Sequence, residues 1–128
     1  MKVSVVVPTT SLDRLRTLLM SLRDQALRPS EVIIVTKGVD VKLIDGCCGA
    51  LSLRCIVLNQ VEGYVTRALN MGKDAASGDI AVFTDDDAIA LRGWLKRYVE
   101  LFAKYDENTA CISSRDIYVN MGSFKLLP

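Results

Sequence analysis

"VSVVVPTTSLDRLRTLLMSL", residues 3–22, decides the fold. It begins with a near-continuous run of β-branched apolar residues that Pro8 cuts short. Such a run suits a strand buried on both faces, as in a parallel sheet, because a half-solvated strand would alternate apolar with polar. Beyond the proline the period changes. Leu12, Leu15, Leu18, Leu19, Leu22 and Ala26 recur at helical spacing, while Arg14, Arg16, Arg23 and Asp24 occupy other faces. Thr10 or Ser11 stands where a helix cap belongs. A buried strand feeding an amphipathic helix through a short turn is the repeating unit of an α/β protein.

The same alternation continues along the chain. "EVIIV" (31–35) reads as a second buried strand, residues 39–50 as a short helix ending near Gly49, and "LRCIVL" (53–58) as a third strand. Val65, Ala68, Leu69, Gly72, Ala75 and Ala76 mark a helix with a narrow face of small residues, which Ser77-Gly78 stops. "DIAVFT" (79–84) follows as a fourth strand. Leu91, Trp94, Leu95, Tyr98 and Phe102 form another amphipathic face, and "TACIS" (109–113) reads as a last strand. The expectation is one α/β domain over residues 1–128, an open, mostly parallel, Rossmann-like sheet flanked by helices with right-handed crossovers. Ligands of such sheets bind at the carboxyl ends of the strands. This chain places Pro8, Thr9, Thr10 and Ser11 there, then Thr36, Lys37 and Gly38, then Asp85, Asp86 and Asp87.

Composition narrows the function. Half of the 128 residues are apolar, and 16 basic residues face 15 acidic ones, so no bulk charge argues for nucleic acid or an anionic surface. There is no histidine, which removes Ser-His-Asp and Cys-His catalysis and zinc sites built on imidazole. Cys47, Cys48, Cys55 and Cys111 lack metal-site spacing and read as small buried residues of a reducing compartment. "MKVSVVVPTT" carries an apolar run too short for a signal peptide or a membrane span, so a cytoplasmic location is expected.

Three adjacent aspartates closing an apolar strand are costly unless something neutralises them, because like charges repel more strongly as the local dielectric falls. A single Asp at such a junction is more often a helix cap, here for the helix near Leu91, or a solvated residue. Three together point to a cation. If the segment stays extended, Asp85 and Asp87 share a face roughly 6.5–7 Å apart and Asp86 points the other way. Magnesium and manganese take one or two carboxylates and complete their shell with substrate phosphate oxygens and water.

The ordered set of motifs resembles family 2 glycosyltransferases of the GT-A fold. These are Pro8-Thr9 after the first strand, Ala68-Leu69-Asn70-Met71-Gly72 on a helix, Ala76-Ser77-Gly78-Asp79 at a turn, Asp85-Asp86-Asp87, and Trp94-Leu95 near the start of the next helix. The resemblance implies metal-assisted transfer of a sugar from a nucleotide-diphosphate donor to an acceptor, with inversion, the metal being Mn or Mg. It implies that Pro8, Thr9 and Thr10 line the nucleotide pocket, that Asp85 faces the ribose or sugar, and that Asp87, with Asp85, holds the metal, with Asp86 as a helper there that also contacts the nucleotide sugar. Arg67 and Lys73 would approach phosphate or sugar, or stay solvated.

Two departures stand out. Where the family carries an acid after the second strand, this chain has Lys37, which cannot accept the imide proton of uracil; guanine or a weaker base contact becomes open. The family's general base lies well beyond its Asp-x-Asp element. Here the later acids are Glu100, Asp106, Glu107 and Asp116, of which Asp116 alone is a weak candidate. The chain therefore reads as a nucleotide-sugar-binding domain short of the acceptor half. The alternative is a non-catalytic nucleotide-binding or partner-assembly module, whose tail residues Phe124, Leu126 and Leu127 would pack on another chain. Self-association and a lipid-linked or membrane-peripheral acceptor stay open; nucleic acid is not expected as a partner.

Overall fold

The computed structural model describes residues 1–120 and 123–126, with side-chain surroundings through residue 117. Strands β1 (Val3–Thr9), β2 (Glu31–Thr36), β3 (Cys55–Asn59) and β4 (Ile80–Phe83) alternate with helices α1 (Leu12–Arg23), α2 (Val41–Ala50), α3 (Val65–Ala75) and α4 (Trp94–Lys104). The four strands form one parallel sheet in the order β3-β2-β1-β4. The fold is the open α/β arrangement that the sequence pattern predicts.

Strand register sorts the side chains into two layers. Val3, Val5 and Val7 align with Val32 and Ile34 of β2 and with Ile80 and Val82 of β4, facing the leucines of α1, Ile44 of α2 and Leu95 of α4 in one buried core. The opposite face carries Val6, Ile33 and Val35, all buried, and α3 packs there on β1 and β2. Gly72 makes that approach possible. A Cβ at this position would collide with Cγ1 of Val6, so the small-residue stripe on α3 has a packing cause.

The amino-terminal edge of the sheet is held by a buried polar knot. Oε1 of Glu31, which is 2% exposed, accepts hydrogen bonds from Ser4 Oγ (2.6 Å), Ser77 N (2.7 Å) and Ser77 Oγ (2.9 Å). Gly78 N donates to Ser4 Oγ (2.8 Å), and Asp79 Oδ2 accepts from Lys2 N (2.7 Å). The Ser-Gly-Asp turn is thus a staple that fixes where β4 starts against β1. These bonds hold the Glu31 carboxyl below its ordinary value, the Ser4 hydroxyl being the largest cause.

Two expectations need correction. No strand forms over 109–113. That segment is irregular, and the chain instead makes an antiparallel hairpin of β5 (Ile117–Asn120) and β6 (Ser123–Leu126). Cys48 and Cys55 are joined as a disulfide between α2 and β3, and the two free cysteines are half-buried (Cys47) and exposed (Cys111), so no cysteine is both buried and reduced. The side chains of Phe124, Leu126 and Leu127 lie outside the described residues. Among the described residues no helix is long and apolar enough to cross a membrane.

Candidate active site

The sheet order reverses between β1 and β4. The chain steps outward from β1 to β2 to β3, then returns through α3 to the other side of β1. Crevices outside the carboxyl ends of strands at such a switch are where open α/β sheets bind ligands. A groove of about 440 Å³ lies there. It passes all four strand ends, from Asp85, Asp86 and Asp87 beyond β4, across Pro8 and Thr9, to Lys37 beyond β2 and Gln60 beyond β3. Three inter-strand steps of about 4.8 Å make that path roughly 14 Å long.

The three aspartates play different parts. Asp86 is buried, 9% exposed, and both carboxylate oxygens are engaged: Thr9 Oγ1 donates to Oδ2 (2.9 Å) and Arg14 Nε to Oδ1 (3.1 Å). Arg14 also donates through Nη2 to Thr10 Oγ1 (3.1 Å), so one guanidinium ties the β1–α1 turn to the aspartate segment. Asp85 and Asp87 are exposed on the groove, and neither is in an ion pair among the described residues. The segment does not stay extended. Ala88 N donates to Asp85 O (3.3 Å), closing a turn over Asp86 and Asp87, so the extended geometry expected to set Asp85 and Asp87 on one face does not hold; what separates them from Asp86 is their exposure. Asp87 caps no helix: α4 opens only at Trp94, with Gly93 at its N-cap and no side-chain cap bond.

α1 begins beside this turn, and of the two candidate caps it uses Ser11, whose Oγ accepts from Arg14 N. Farther along, the segment after the aspartates is clamped to the other end of the same helix. Gln25 Nε2 donates to Leu91 O (2.7 Å) and Ala90 O (3.3 Å), its Oε1 accepts from Leu95 N (3.1 Å), and Ala90 N donates to Ser21 Oγ (3.0 Å).

At the β2–β3 end, Lys37 Nζ donates to Gly63 O (2.7 Å), and the buried Gln60 side chain donates to the carbonyls of Glu62 and Tyr64. These bonds shape the loop that precedes α3, where Gly63 takes the positive φ of +91°. Tyr64, 88% exposed, forms part of the groove wall. Sequence reasoning missed Arg14, Gln60 and Tyr64. Arg14 carried only the signature of a solvated helix charge, and the other two sit in a loop without a motif.

Not every sequence-predicted residue comes to the groove. Pro8, Thr9, Thr10, Lys37 and the three aspartates line it. Arg67 does not: its guanidinium lies 3.8 Å from Glu62 and its stem packs at Gly63, because α3 turns that face outward. Lys73 pairs with Asp74 away from the groove. Asp116 is exposed in the irregular segment before β5 and lines no part of it.

The donor set can be weighed against a cation. Among the described residues no group of three or more His, Cys, Asp or Glu is arranged to hold a metal unaided. Two exposed, unpaired carboxylates nevertheless fit a hard divalent ion that takes its other ligands from phosphate and water.

The family model for glycosyl transferase family 2 matches residues 4–127. The chain belongs to glycosyltransferase family 2. It is 34% identical over 116 residues to an uncharacterized glycosyltransferase of Bacillus subtilis, YwdF, covering 89% of this chain and 41% of that protein. The structure of S. aureus TarS 1–349 in complex with UDP-GlcNAc superposes with a TM-score of 0.68 at 26% identity, covering 81% of this chain and 32% of that one. Glucosyl-3-phosphoglycerate synthase from Mycobacterium tuberculosis, in complex with Mn2+, UDP and glucosyl-3-phosphoglycerate, shares the fold at a TM-score of 0.57 and 21% identity over 79% of this chain and 39% of that one. The family 2 chain described here therefore spans well under half the length of these relatives, and its parallel sheet and helices are the GT-A arrangement.

Proposed function

We propose that this chain forms the donor side of an inverting glycosyltransferase, with a nucleotide-diphosphate sugar along the groove and a divalent cation at Asp85 and Asp87. One observation carries the reading. Two exposed carboxylates without ion-pair partners, among the described residues, open onto a groove at the β1/β4 switch point, while the third is nearly buried and paired with Arg14. That TarS binds UDP-GlcNAc supports a nucleotide-sugar ligand at this position. A divalent cation there would neutralise the charge developing on a departing diphosphate. Thr9 and Thr10 border the same end, and Lys37, Gln60 and Tyr64 surround the other, leaving the nucleoside to that end. The acceptor hydroxyl would displace the diphosphate from the opposite face of the anomeric carbon, surrendering its proton to a base.

Calorimetric titration with UDP- and GDP-sugars, in Mn2+ and in EDTA, tests the assignment. Metal-dependent binding that weakens at least about tenfold in Asp87→Ala is expected, the usual scale for removing a charge-neutralising contact. Equal affinity in EDTA, or an unaltered Asp87→Ala, overturns it.

A second reading is a binding module without turnover. It is favoured by the absence, among the described residues, of any groove-lining carboxylate outside the aspartate turn that could serve as base. Turnover by this chain alone would exclude it.

A further inference from the structure

Three consecutive aspartates present one charge more than a divalent cation balances. Arg14 removes the surplus. Its Nε holds Asp86 Oδ1 at 3.1 Å while Thr9 Oγ1 holds Oδ2 at 2.9 Å, and its Nη2 reaches Thr10 Oγ1 at 3.1 Å. Both oxygens of Asp86 are thereby occupied, and it is a nearly buried part of the groove lining, whereas its neighbours are exposed. We propose that Arg14 is a positioning residue for the cation site: it holds Asp86 out of the coordination shell and fixes the turn so that Asp85 and Asp87 alone face the ion. This inference rests on the proposed function. It assigns Asp86 a role different from the nucleotide-contacting helper that the family resemblance implies.

The guanidinium suits this role because its planar fork serves the carboxylate and the Thr10 hydroxyl together. A lysine can pair with Asp86 as a point charge but cannot span both acceptors. Partners that orient metal-binding groups without touching the metal commonly cost about 10–100-fold in metal affinity when removed.

The test is a double-mutant cycle on the full chain, comparing wild type, Arg14→Met, Asp86→Asn and the double variant. Two quantities are read: Mn2+ affinity by electron paramagnetic resonance in the presence of UDP and, separately, GDP, and melting temperature without metal. Arg14→Met and Asp86→Asn are each expected to weaken Mn2+ binding about tenfold or more, and the double variant little further. Arg14→Lys recovers part of the loss and also supplies the measurement if Arg14→Met does not fold. The melting temperatures, free of any metal, show the same non-additivity. Losses in Mn2+ affinity that multiply in the double variant overturn the inference, because Arg14 would then act on the ligand directly. Unchanged Mn2+ affinity in Arg14→Met or Arg14→Lys overturns it as well. Failure of the wild type to bind Mn2+ with either UDP or GDP overturns the proposed function and this inference together. Normal wild-type binding with multiplying losses overturns this inference alone.

Discussion

Glu31→Gln tests whether charge at the bottom of the sheet holds β4, and so the aspartate turn, in register. The carboxylate is 2% exposed, and a single oxygen accepts three hydrogen bonds from Ser4 and Ser77. Bonds to a charged acceptor contribute about 1.5–3 kcal/mol each, against about 1 kcal/mol for neutral ones. Three bonds sharing one oxygen do not add fully, so replacing the charged acceptor with an amide should cost about 2–3 kcal/mol. For a domain of this size that corresponds to roughly 10 °C in melting temperature.

The pH dependence follows from the direction of the shift. The folded protein holds the Glu31 carboxyl below the ordinary value of 4.5, first through Ser4, then through the Ser77 backbone, with Arg54 contributing less. Its stabilisation is complete above the unfolded value and is lost as pH falls through the folded one. Denaturant unfolding of wild type and variant at pH 7, 5, 4 and 3 should therefore show a gap that is constant down to about pH 5 and narrows below it. A gap equally wide at pH 3 and pH 7 would refute the argument, since the carboxylate charge would then not be what stabilises the knot.

Other expectations follow from the same packing. Gly72→Ala should lower stability by about 1–2 kcal/mol in thermal melts, because overpacking against Val6 outweighs the roughly 1 kcal/mol that alanine adds to helix propensity; Val6→Ala should restore it. Gln25→Leu keeps the volume but strands the buried bonds to Leu91 and Leu95, and should cost about 2–3 kcal/mol in urea unfolding while speeding exchange of the Leu95 amide. Thiol titration of the denatured, unreduced chain should find Cys47 and Cys111 reactive and Cys48 and Cys55 only after reduction.

Local pattern foretold what depends on neighbours in sequence. Buried runs such as "VSVVV" and "EVIIV" became the two central strands because they are apolar on both faces except at Ser4 and Glu31, which bond to each other, and the leucine spacing of α1 is the face it buries. Pattern failed where a partner comes from far away. Asp86 meets Arg14 across 72 residues and Gln25 meets Leu91 across 66, so neither side chain announces its role locally. The segment "TACIS" has strand composition but pairs with no described strand, and β propensity without a neighbour to receive the hydrogen bonds does not make a sheet. The disulfide escaped for a different reason: Cys48 on α2 and Cys55 on β3 are only seven residues apart, and the turn at Ser52, whose φ is +53°, brings them together.

These long-range bonds have a shared logic. α1 and its flanks grip the segment that follows β4 at two places, through Thr9 and Arg14 near the start of the helix and through Ser21 and Gln25 near its end. A loop fastened at both ends loses its conformational freedom when the protein folds rather than when a ligand arrives. At about 1–2 kcal/mol per residue of backbone entropy, an unfastened turn over Asp85–Ala88 would subtract several kcal/mol from the affinity of any cation it bound. Two exposed carboxylates are a weak cage alone, so a site built from them can succeed only if that ordering is already complete. Helix α1 is thus as much a part of the candidate site as the aspartates that it positions.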